Sequence, residues 1–292
     1  MATAVDALEA AFGAERLPEA PLRSHLETRA GSLLVMPAQG DPGVGVKLVT
    51  LTDANPGRGL PFIHASYVLF DAETQAPRAV LDGAALTALR TAAVSALATR
   101  RLARPDARRL VLYGAGVQAR SHLDGMRAVR PVEEVVVVSR GRDRAQALLA
   151  HASAMGMRAS VGEPGAEAGA DLVCTCTTSP EPVVRGALLP DGVHVNAVGA
   201  YTTAMRELDT EAVRRSRVVV ETREAALAEA GDLVIPMREG AIDEGHIVAD
   251  LAGVVRGARV RTSDADVTLF KSVGVAFEDL VVARAAVDRL GA

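Results

Sequence analysis

Lysine is scarce in this sequence, and one of its lysines stands where it could do chemistry. Only two of the 32 Lys and Arg residues are lysines, Lys47 and Lys271. Lys47 is the lone cation of the apolar segment GVGVKLVTL. A buried lysine titrates readily, whereas an arginine stays charged. Lys47 is therefore a candidate for moving a proton, although an arginine-rich composition alone could leave a stray lysine.

Arg90 is the second candidate, in LDGAALTALRTAAVSALATRRL. Asp82 is the one other charged residue between positions 80 and 99. A buried charge needs a partner, and an anionic ligand is one such partner. His64, on a predicted strand, is a third candidate for the active site. Cys174 and Cys176 alternate along another predicted strand, where packing is the simpler interpretation.

A glycine-rich turn predicts a nucleotide site. RRLVLYGAGVQARSHL contains Gly114, Gly116, Val117, Gln118 and Ala119 in the pattern G-x-G-x-x-A. An apolar run precedes this motif and a helical pattern follows it. Such glycines allow a tight turn and a close approach of pyrophosphate to backbone N–H groups at a helix N-terminus. This context favours dinucleotide binding over a glycine-rich turn without a ligand.

The end of the next predicted strand bears on the choice of cofactor. NAD-binding proteins usually place an acid there for the ribose 2′-hydroxyl. This chain has Ser139, Arg140 and Arg142 in the sequence SRGR. A hydroxyl and two guanidinium groups suit a 2′-phosphate. The residues therefore favour NADPH, with NADH binding more weakly.

The hydrophobic pattern changes near residue 105. A short helix at 4–12 is followed by apolar runs at 32–36, 45–51, 64–70 and 79–81, which Gly/Pro/Asn turns separate; this is typical of an antiparallel or mixed sheet. A long helix is predicted at 84–102. Val-rich runs at 109–113, 134–138, 171–175, 194–198 and 217–220 then alternate with helices, which predicts a parallel sheet. Residues 270–290 are predicted as one C-terminal helix.

Composition excludes several classes of protein. The 292 residues are 49% hydrophobic and 23% charged, with a net charge of −4, which argues against a nucleic-acid binder. The N-terminus has no targeting pattern and no apolar run approaches the length of a membrane span. We therefore expect a cytoplasmic protein without membrane attachment. Two cysteines and six histidines predict neither a disulfide framework nor a metal site, and no G-x-S-x-G motif supports a hydrolase.

The chain resembles the ornithine cyclodeaminase/mu-crystallin family over nearly its whole length. The segments that carry the resemblance are VKLVT, LDGAALTALRTAAVSALATRRL, GAGVQARSHL, HVNAVGAYTTAMREL, ETREAALAEAGDL and TLFKSVGVAFED. The resemblance is strongest to the ketimine reductase branch, which includes mu-crystallin and Δ1-pyrroline-2-carboxylate reductases.

The resemblance implies an α/β fold in which a Rossmann domain (105–265) is inserted into an N-terminal α+β sheet domain. The latter domain (1–104 plus 266–292) is completed by the C-terminal helix and forms a homodimer. Arg23, Lys47 and Arg90 are implied to line the substrate site. The residues implied near the cofactor are Arg90, Thr91, Val117, Gln118, Ser139, Arg140, Thr177, Asn196, Ala197, Val198 and Ser272.

Three departures separate the chain from cyclodeaminases of the family. Leu34 stands where those enzymes have Glu, and Tyr201 and Lys271 stand where they have Asp. The distal ammonium of ornithine needs a carboxylate in the site, whereas a cyclic imine acid has no such ammonium. Lys271 matches mu-crystallin, and Tyr201 joins the candidate catalytic residues.

These observations predict an NADPH-dependent oxidoreductase that reduces cyclic imine carboxylates. The expected substrates are Δ1-pyrroline-2-carboxylate and Δ1-piperideine-2-carboxylate, which give L-proline and L-pipecolate and place the enzyme in proline metabolism. Three alternatives remain open at this point: an ornithine cyclodeaminase, an alanine or N-alkyl amino acid dehydrogenase, and an NADPH-dependent ligand-binding protein of the mu-crystallin type.

Overall fold

The computed structural model describes residues 1–291, and the chain divides into two compact units. The antiparallel-sheet unit comprises Thr3–Arg90 and Val275–Ala292, and the parallel-sheet unit comprises Met1–Ala2 and Thr91–Gly274. The domain boundaries expected at 104/105 and 265/266 lie within the parallel-sheet unit. These two boundaries remain a prediction of where the domains begin and end.

Strands and helices follow one another as expected for an α/β chain. The elements up to the long second helix are α1 (Ala2–Gly13), β1 (Ser24–Thr28), β2 (Gly31–Gly40), β3 (Gly43–Leu51), β4 (Ile63–Phe70), β5 (Pro77–Asp82) and α2 (Gly83–Leu102). Those that follow are β6 (Arg109–Tyr113), α3 (Val117–Val129), β7 (Glu134–Val138), α4 (Arg142–Ala154), β8 (Arg158–Val161), β9 (Leu172–Thr175), β10 (His194–Ala197), α5 (Thr210–Arg215), β11 (Ser216–Val220), α6 (Arg223–Glu229), α7 (Gly231–Arg238), β12 (Ile247–Asp250), α8 (Leu251–Val255), β13 (Val267–Lys271) and α9 (Ala276–Leu290).

The antiparallel-sheet unit is a five-stranded meander with one face covered by a helix. Its strands lie in chain order, and every neighbouring pair is antiparallel. Helix α9 packs on β2, β3 and β4. Side chains alternate between the two faces of a strand, and Leu34, Met36 and Leu69 are buried on the face beneath α9. We call this the inner face, and the opposite one the outer face.

The parallel-sheet unit has eight strands in the order β12-β11-β13-β10-β9-β6-β7-β8, and all its pairs are parallel. Five of its strands, β8-β7-β6-β9-β10, follow the order of a Rossmann sheet. The residues of β9 and β10 are buried throughout, as expected where helices cover both faces. The α/β fold with a Rossmann-type parallel sheet is confirmed.

The predicted C-terminal helix is partly wrong. Residues 270 and 271 belong to strand β13, and the helix begins only at Ala276. Strand β13 is paired on both sides, with β10 and β11, so its residues complete the centre of a sheet. Short strands β1, β8 and β12 were also absent from the predicted elements.

Within residues 1–291, no helix combines the length and apolarity that a membrane span requires. Among the same residues, no cluster of His, Cys, Asp and Glu side chains could hold a metal ion. Cys174 and Cys176 are both free.

Candidate active site

Lys47 lies at the centre of the inner face of the antiparallel sheet. It is paired in register with Met36 on β2 and with Tyr67 on β4. Its side chain is 1% exposed. The strand alternation points Lys47 toward α9, whose first turn carries Glu278 and Asp279.

Four buried charged groups meet there, and we call them the Lys47 cluster: Lys47, Arg90, Glu278 and Asp279. Lys47 Nζ lies 2.9 Å from Asp279 Oδ1 and 2.8 Å from Oδ2. Arg90 donates from Nε to Asp279 Oδ1 at 3.2 Å and from Nη1 to Glu278 Oε2 at 2.9 Å. All four side chains are at most 5% exposed. Two cations therefore face two carboxylates out of contact with water.

The surroundings bring the pKa of Lys47 down to about 8. Burial is the largest cause, because it penalises the charged ammonium, and the positive charge of Arg90 acts in the same direction. The carboxylate of Asp279 opposes the shift, and Arg23 adds a further lowering contribution. Lys47 is thus an ammonium group that can give up its proton near neutral pH.

Tyr67 closes one side of the Lys47 cluster as a neutral phenol. Burial and the negative charge of Asp279 both raise the pKa of Tyr67. Its ring lies against the backbone of β3, because a Cβ atom at Gly45 would come within 2.0 Å of the phenol oxygen. Gly45 is therefore needed for the ring to fit beside Lys47.

The glycine-rich turn in the parallel-sheet unit has the geometry of a dinucleotide site. Gly114 has φ of 103°, a conformation that favours glycine, and a Cβ atom there would lie 2.5 Å from the carbonyl oxygen of Cys176. Gly116 precedes helix α3 as its N-cap, and no atom lies within 4 Å of the Cβ position there. The open space and the helix N-terminus fit a pyrophosphate.

His122 holds the start of α3 in place. Its Nδ1 lies 2.8 Å from the carbonyl oxygen of Gln118, and its Nε2 lies 3.0 Å from Ser95 Oγ. Because a carbonyl can only accept, Nδ1 carries the proton and Nε2 accepts from the serine hydroxyl. Burial lowers the pKa of His122 to about 4, so the ring is neutral and structural.

The segment after β7 carries the residues expected to select the cofactor. Ser139 Oγ accepts a hydrogen bond from the N–H of Gly141 at 3.3 Å, which tightens the turn into helix α4. Arg140 and Arg142 are exposed. No acid lies at residues 139–142 to accept a ribose 2′-hydroxyl.

The predicted site residues differ widely in exposure. Half-buried ones are Arg23, Gly114, Gly116, Gln118, Ser139, Thr177, Val198 and Tyr201. Exposed ones are His64, Val117, Arg140 and Arg142. Buried ones are Lys47, Arg90, Thr91, Ala119, Asn196, Ala197 and Ser272.

The structure brings Lys47 and Arg90 together and places Arg23 close enough to act on the charge of Lys47. It does not bring His64 to them. His64 is an even-numbered residue of β4, whereas Tyr67 faces Lys47 from the same strand; alternation therefore puts His64 on the outer face. Tyr201 lies in the parallel-sheet unit, on the segment that follows β10.

Sequence reasoning missed Glu278 and Asp279. The signal was present, because these acids stand alone in the apolar run SVGVAFEDLVVA. The same criterion, a charge inside an apolar segment, had singled out Arg90. Opposite charges isolated in the apolar stretches of two predicted helices could have been paired with each other.

Comparison with known proteins identifies the family of the chain. Residues 1–292 match the model of the ornithine cyclodeaminase/mu-crystallin family. The chain is 38% identical over 287 residues to a Δ1-pyrroline-2-carboxylate reductase of Bacillus cereus (strain ZK / E33L), covering 94% of this chain and 86% of that protein. It is 39% identical over 261 residues to the ketimine reductase mu-crystallin of Rattus norvegicus, covering 88% of this chain and 80% of that protein.

A solved structure has the same fold throughout. It is the Δ1-pyrroline-2-carboxylate reductase of Thermococcus litoralis in complex with NADH and L-proline, which is 38% identical. The TM-score is 0.93, with 98% of this chain and 92% of that one covered. The full-length family match, the two relatives and this structure show that the chain belongs to the ornithine cyclodeaminase/mu-crystallin family.

Proposed function

We propose that the protein is an NADPH-dependent reductase of cyclic imine carboxylates. Its substrates are Δ1-pyrroline-2-carboxylate and Δ1-piperideine-2-carboxylate, and its products are L-proline and L-pipecolate. The observation that carries the proposal is the buried pair of Lys47 and Asp279 beside Arg90. The reductases among its relatives support the same reaction class.

The charges of the cluster favour an anionic substrate. Glu278 and Asp279 balance Lys47 and Arg90, and Arg23 contributes further positive charge. In the proposal the carboxylate of the imine acid pairs with Arg90 and Arg23. Such pairing sets the orientation of the C=N bond.

Lys47 supplies the proton in this proposal. An imine accepts hydride more readily once its nitrogen is protonated, and an acid with a pKa of about 8 can give a proton to it near neutral pH. Asp279 keeps the ammonium oriented through the hydrogen bond that Oδ1 accepts. The neutral phenol of Tyr67 excludes water from one side of the pair.

The parallel-sheet unit fits the nicotinamide cofactor. Gly114 permits the tight turn against the Cys176 backbone, and Gly116 leaves open space for the pyrophosphate at the start of α3. When bound, the nicotinamide supplies hydride to the imine carbon. Ser139, Arg140 and Arg142 are proposed to bind the 2′-phosphate of NADPH, so NADH is the weaker cofactor here.

A homodimer is the proposed form of the protein. The outer face of the antiparallel sheet carries exposed apolar side chains, and Leu26, Leu48 and Val80 on it are 59%, 39% and 73% exposed. Apolar patches of this kind mark interaction surfaces.

The free thiols of Cys174 and Cys176 fit a reducing compartment, and we propose a cytoplasmic location.

Ornithine is a poor match to the same residues. Leu34 is buried and apolar, and Glu278 and Asp279 are engaged by Arg90 and Lys47. Asp82 is exposed and accepts from the first N–H groups of α2, and Glu27 is exposed on β1. An ornithine δ-ammonium would therefore lose hydration without gaining a carboxylate, at a cost of several kcal/mol.

The test supplies both reactions to the same preparation. With NADPH and a panel of cyclic and linear imine acids, we expect oxidation of NADPH by the cyclic ketimine carboxylates. With L-ornithine and NAD⁺ or NADP⁺, we expect essentially no release of ammonia. Robust ornithine-dependent ammonia release, or no turnover of any imine acid, would overturn the proposal.

A further inference from the structure

The second lysine of the chain is buried in the parallel-sheet unit. Lys271 ends strand β13 and is 1% exposed. Its ammonium lies 2.9 Å from Asp232 Oδ2 and donates to the carbonyl oxygen of Ala200 at 2.6 Å. Lys271 therefore joins the end of β13 to helix α7 and to the segment that follows β10.

Asp232 holds the C-terminal end of the segment that follows β10. Its Oδ1 accepts from the backbone N–H groups of Glu207 at 2.7 Å and of Leu208 at 2.9 Å. The preceding residue, Gly231, lies so close to the segment that a Cβ atom there would be 2.0 Å from the carbonyl oxygen of Met205. The start of α7 thus packs directly against the backbone of residues 202–205.

The carboxylate of Glu207 holds the N-terminal end of the same segment. It accepts four hydrogen bonds at 2.7 Å, from Thr175 Oγ, from the N–H and Oγ of Thr177, and from the N–H of Gly199. Burial and the charge of Asp232 raise the pKa of Glu207, and the charge of Lys271 opposes them. Four donors fill the four acceptor positions of an ionised carboxylate.

The segment 199–207 is thereby held at both ends by buried ionic groups, with Tyr201, Thr202 and Thr203 half-buried between them. It follows β10 and lies beside the ends of β9 and β13, at the carboxyl edge of a parallel sheet. Ligands of such sheets bind outside this edge. Buried ion pairs contribute little net stability, because desolvation offsets their attraction, so stability alone is a weak reason for this arrangement.

We infer that Lys271, Asp232 and Glu207 are positioning residues that keep segment 199–207 in the shape required at the nicotinamide end of the cofactor. The inference rests on the proposed use of a nicotinamide dinucleotide. It assigns to Lys271 a role in hydride transfer through loop geometry, without contact with the substrate.

The chain contains a control with nearly the same bonding pattern. Asp171 also accepts from two consecutive N–H groups, those of Arg108 and Arg109, and from one cation, Arg104. It precedes β9 and so lies at the opposite, amino edge of the sheet. Asp171→Asn and Asp232→Asn therefore remove the same kind of charge from the two edges.

The experiment measures NADPH fluorescence, the dissociation constant of NADPH and the single-turnover rate of hydride transfer to Δ1-pyrroline-2-carboxylate. We expect Asp232→Asn to slow hydride transfer at least about 10-fold and to change the emission of bound NADPH. The dissociation constant should change less than about threefold, because the 2′-phosphate end is untouched. Asp171→Asn should lower the melting temperature while leaving the rate and the emission unchanged.

Two further variants cover the case in which Asp232→Asn does not fold. Lys271→Met combined with Asp232→Asn leaves neither charge unpaired, and we expect the same slow transfer. Thr175→Val removes one hydrogen bond to Glu207 and should slow transfer less, while Thr175→Ser, which keeps the hydroxyl, should restore it. Wild-type rate and emission in the folded network variants would overturn the inference, whereas failure of the wild-type protein to bind NADPH would instead overturn the proposed cofactor.

Discussion

The two lysines of the chain are alike in burial and in partner, yet their surroundings differ in charge. Each is 1% exposed, and each has an aspartate oxygen within 2.9 Å of its ammonium. Lys47 has two arginines acting on it, Arg90 and Arg23. Lys271 lies instead beside two carboxylates, those of Asp232 and Glu207.

This difference separates two uses of the same side chain. Neighbouring cations disfavour the ammonium form, so Lys47 is suited to giving up a proton. Neighbouring anions and a carbonyl acceptor hold Lys271 in place, so it is suited to fixing backbone geometry. An aspartate partner and burial are therefore not enough to identify an acid–base lysine.

The largest expected effect is that of Lys47→Arg. Arginine keeps the positive charge opposite Asp279, but it does not release a proton. We expect turnover to fall at least about 100-fold, within the usual contribution of general acid–base catalysis. Titration with NADPH should show unchanged binding. Near-normal turnover would show that Lys47 is not the proton donor, and the proposed difference in role between Lys47 and Lys271 would fail.

Arg90→Ala tests the cationic surroundings of Lys47. The substrate carboxylate would lose its partner, and we expect kcat/KM to fall by a factor that corresponds to a free energy of about 2–5 kcal/mol. Some loss of NADPH affinity is also expected, because the resemblance places Arg90 near the cofactor. Glu278 would lose its bond to Nη1, so the melting temperature should drop as well. Steady-state kinetics at wild-type values would exclude Arg90 from the site.

Arg140→Asp tests the proposed preference for NADPH over NADH in the parallel-sheet unit, which also contains Lys271. One charge-assisted contact is worth about 1.5–3 kcal/mol, or roughly 10- to 150-fold in affinity. We expect the preference to move toward NADH by that factor, measured as the ratio of kcat/KM for the two cofactors. If the wild-type protein uses NADPH and NADH equally well, the 2′-phosphate assignment fails.

Val46→Glu is expected to have the smallest effect on chemistry, because Val46 lies on the outer face, opposite Lys47. It pairs with Val68 in the middle of the sheet. A carboxylate there should shift the protein from dimer to monomer in light scattering. Val161→Glu, a change at an exposed residue of β8, serves as the control. A wild-type protein that is already monomeric would contradict the proposed homodimer.

Much of this arrangement could be predicted from local patterns. The glycine spacing, the strand before it and the helix after it predict the Gly114 turn, and a lone charge in an apolar run singles out Lys47 and Arg90. The partners were harder, because Asp279 is 232 residues from Lys47 in the sequence. The last two residues of strand β13, Phe270 and Lys271, were predicted as helix. A short apolar run is compatible with either structure, and the place of β13 between β10 and β11 is set by tertiary pairing.

The pH dependence of hydride transfer tests the distinction between the two lysines most directly. In the proposed mechanism reduction requires the protonated form of Lys47, so the single-turnover rate of the wild-type protein should fall as the pH rises through about 8. Lys47→Arg should lose this decline, because its guanidinium does not titrate there. The double variant Lys271→Met/Asp232→Asn should be slower but decline at the same pH. A decline that persists in Lys47→Arg, or is absent from the wild-type protein, would contradict the assignment of Lys47 as the acid.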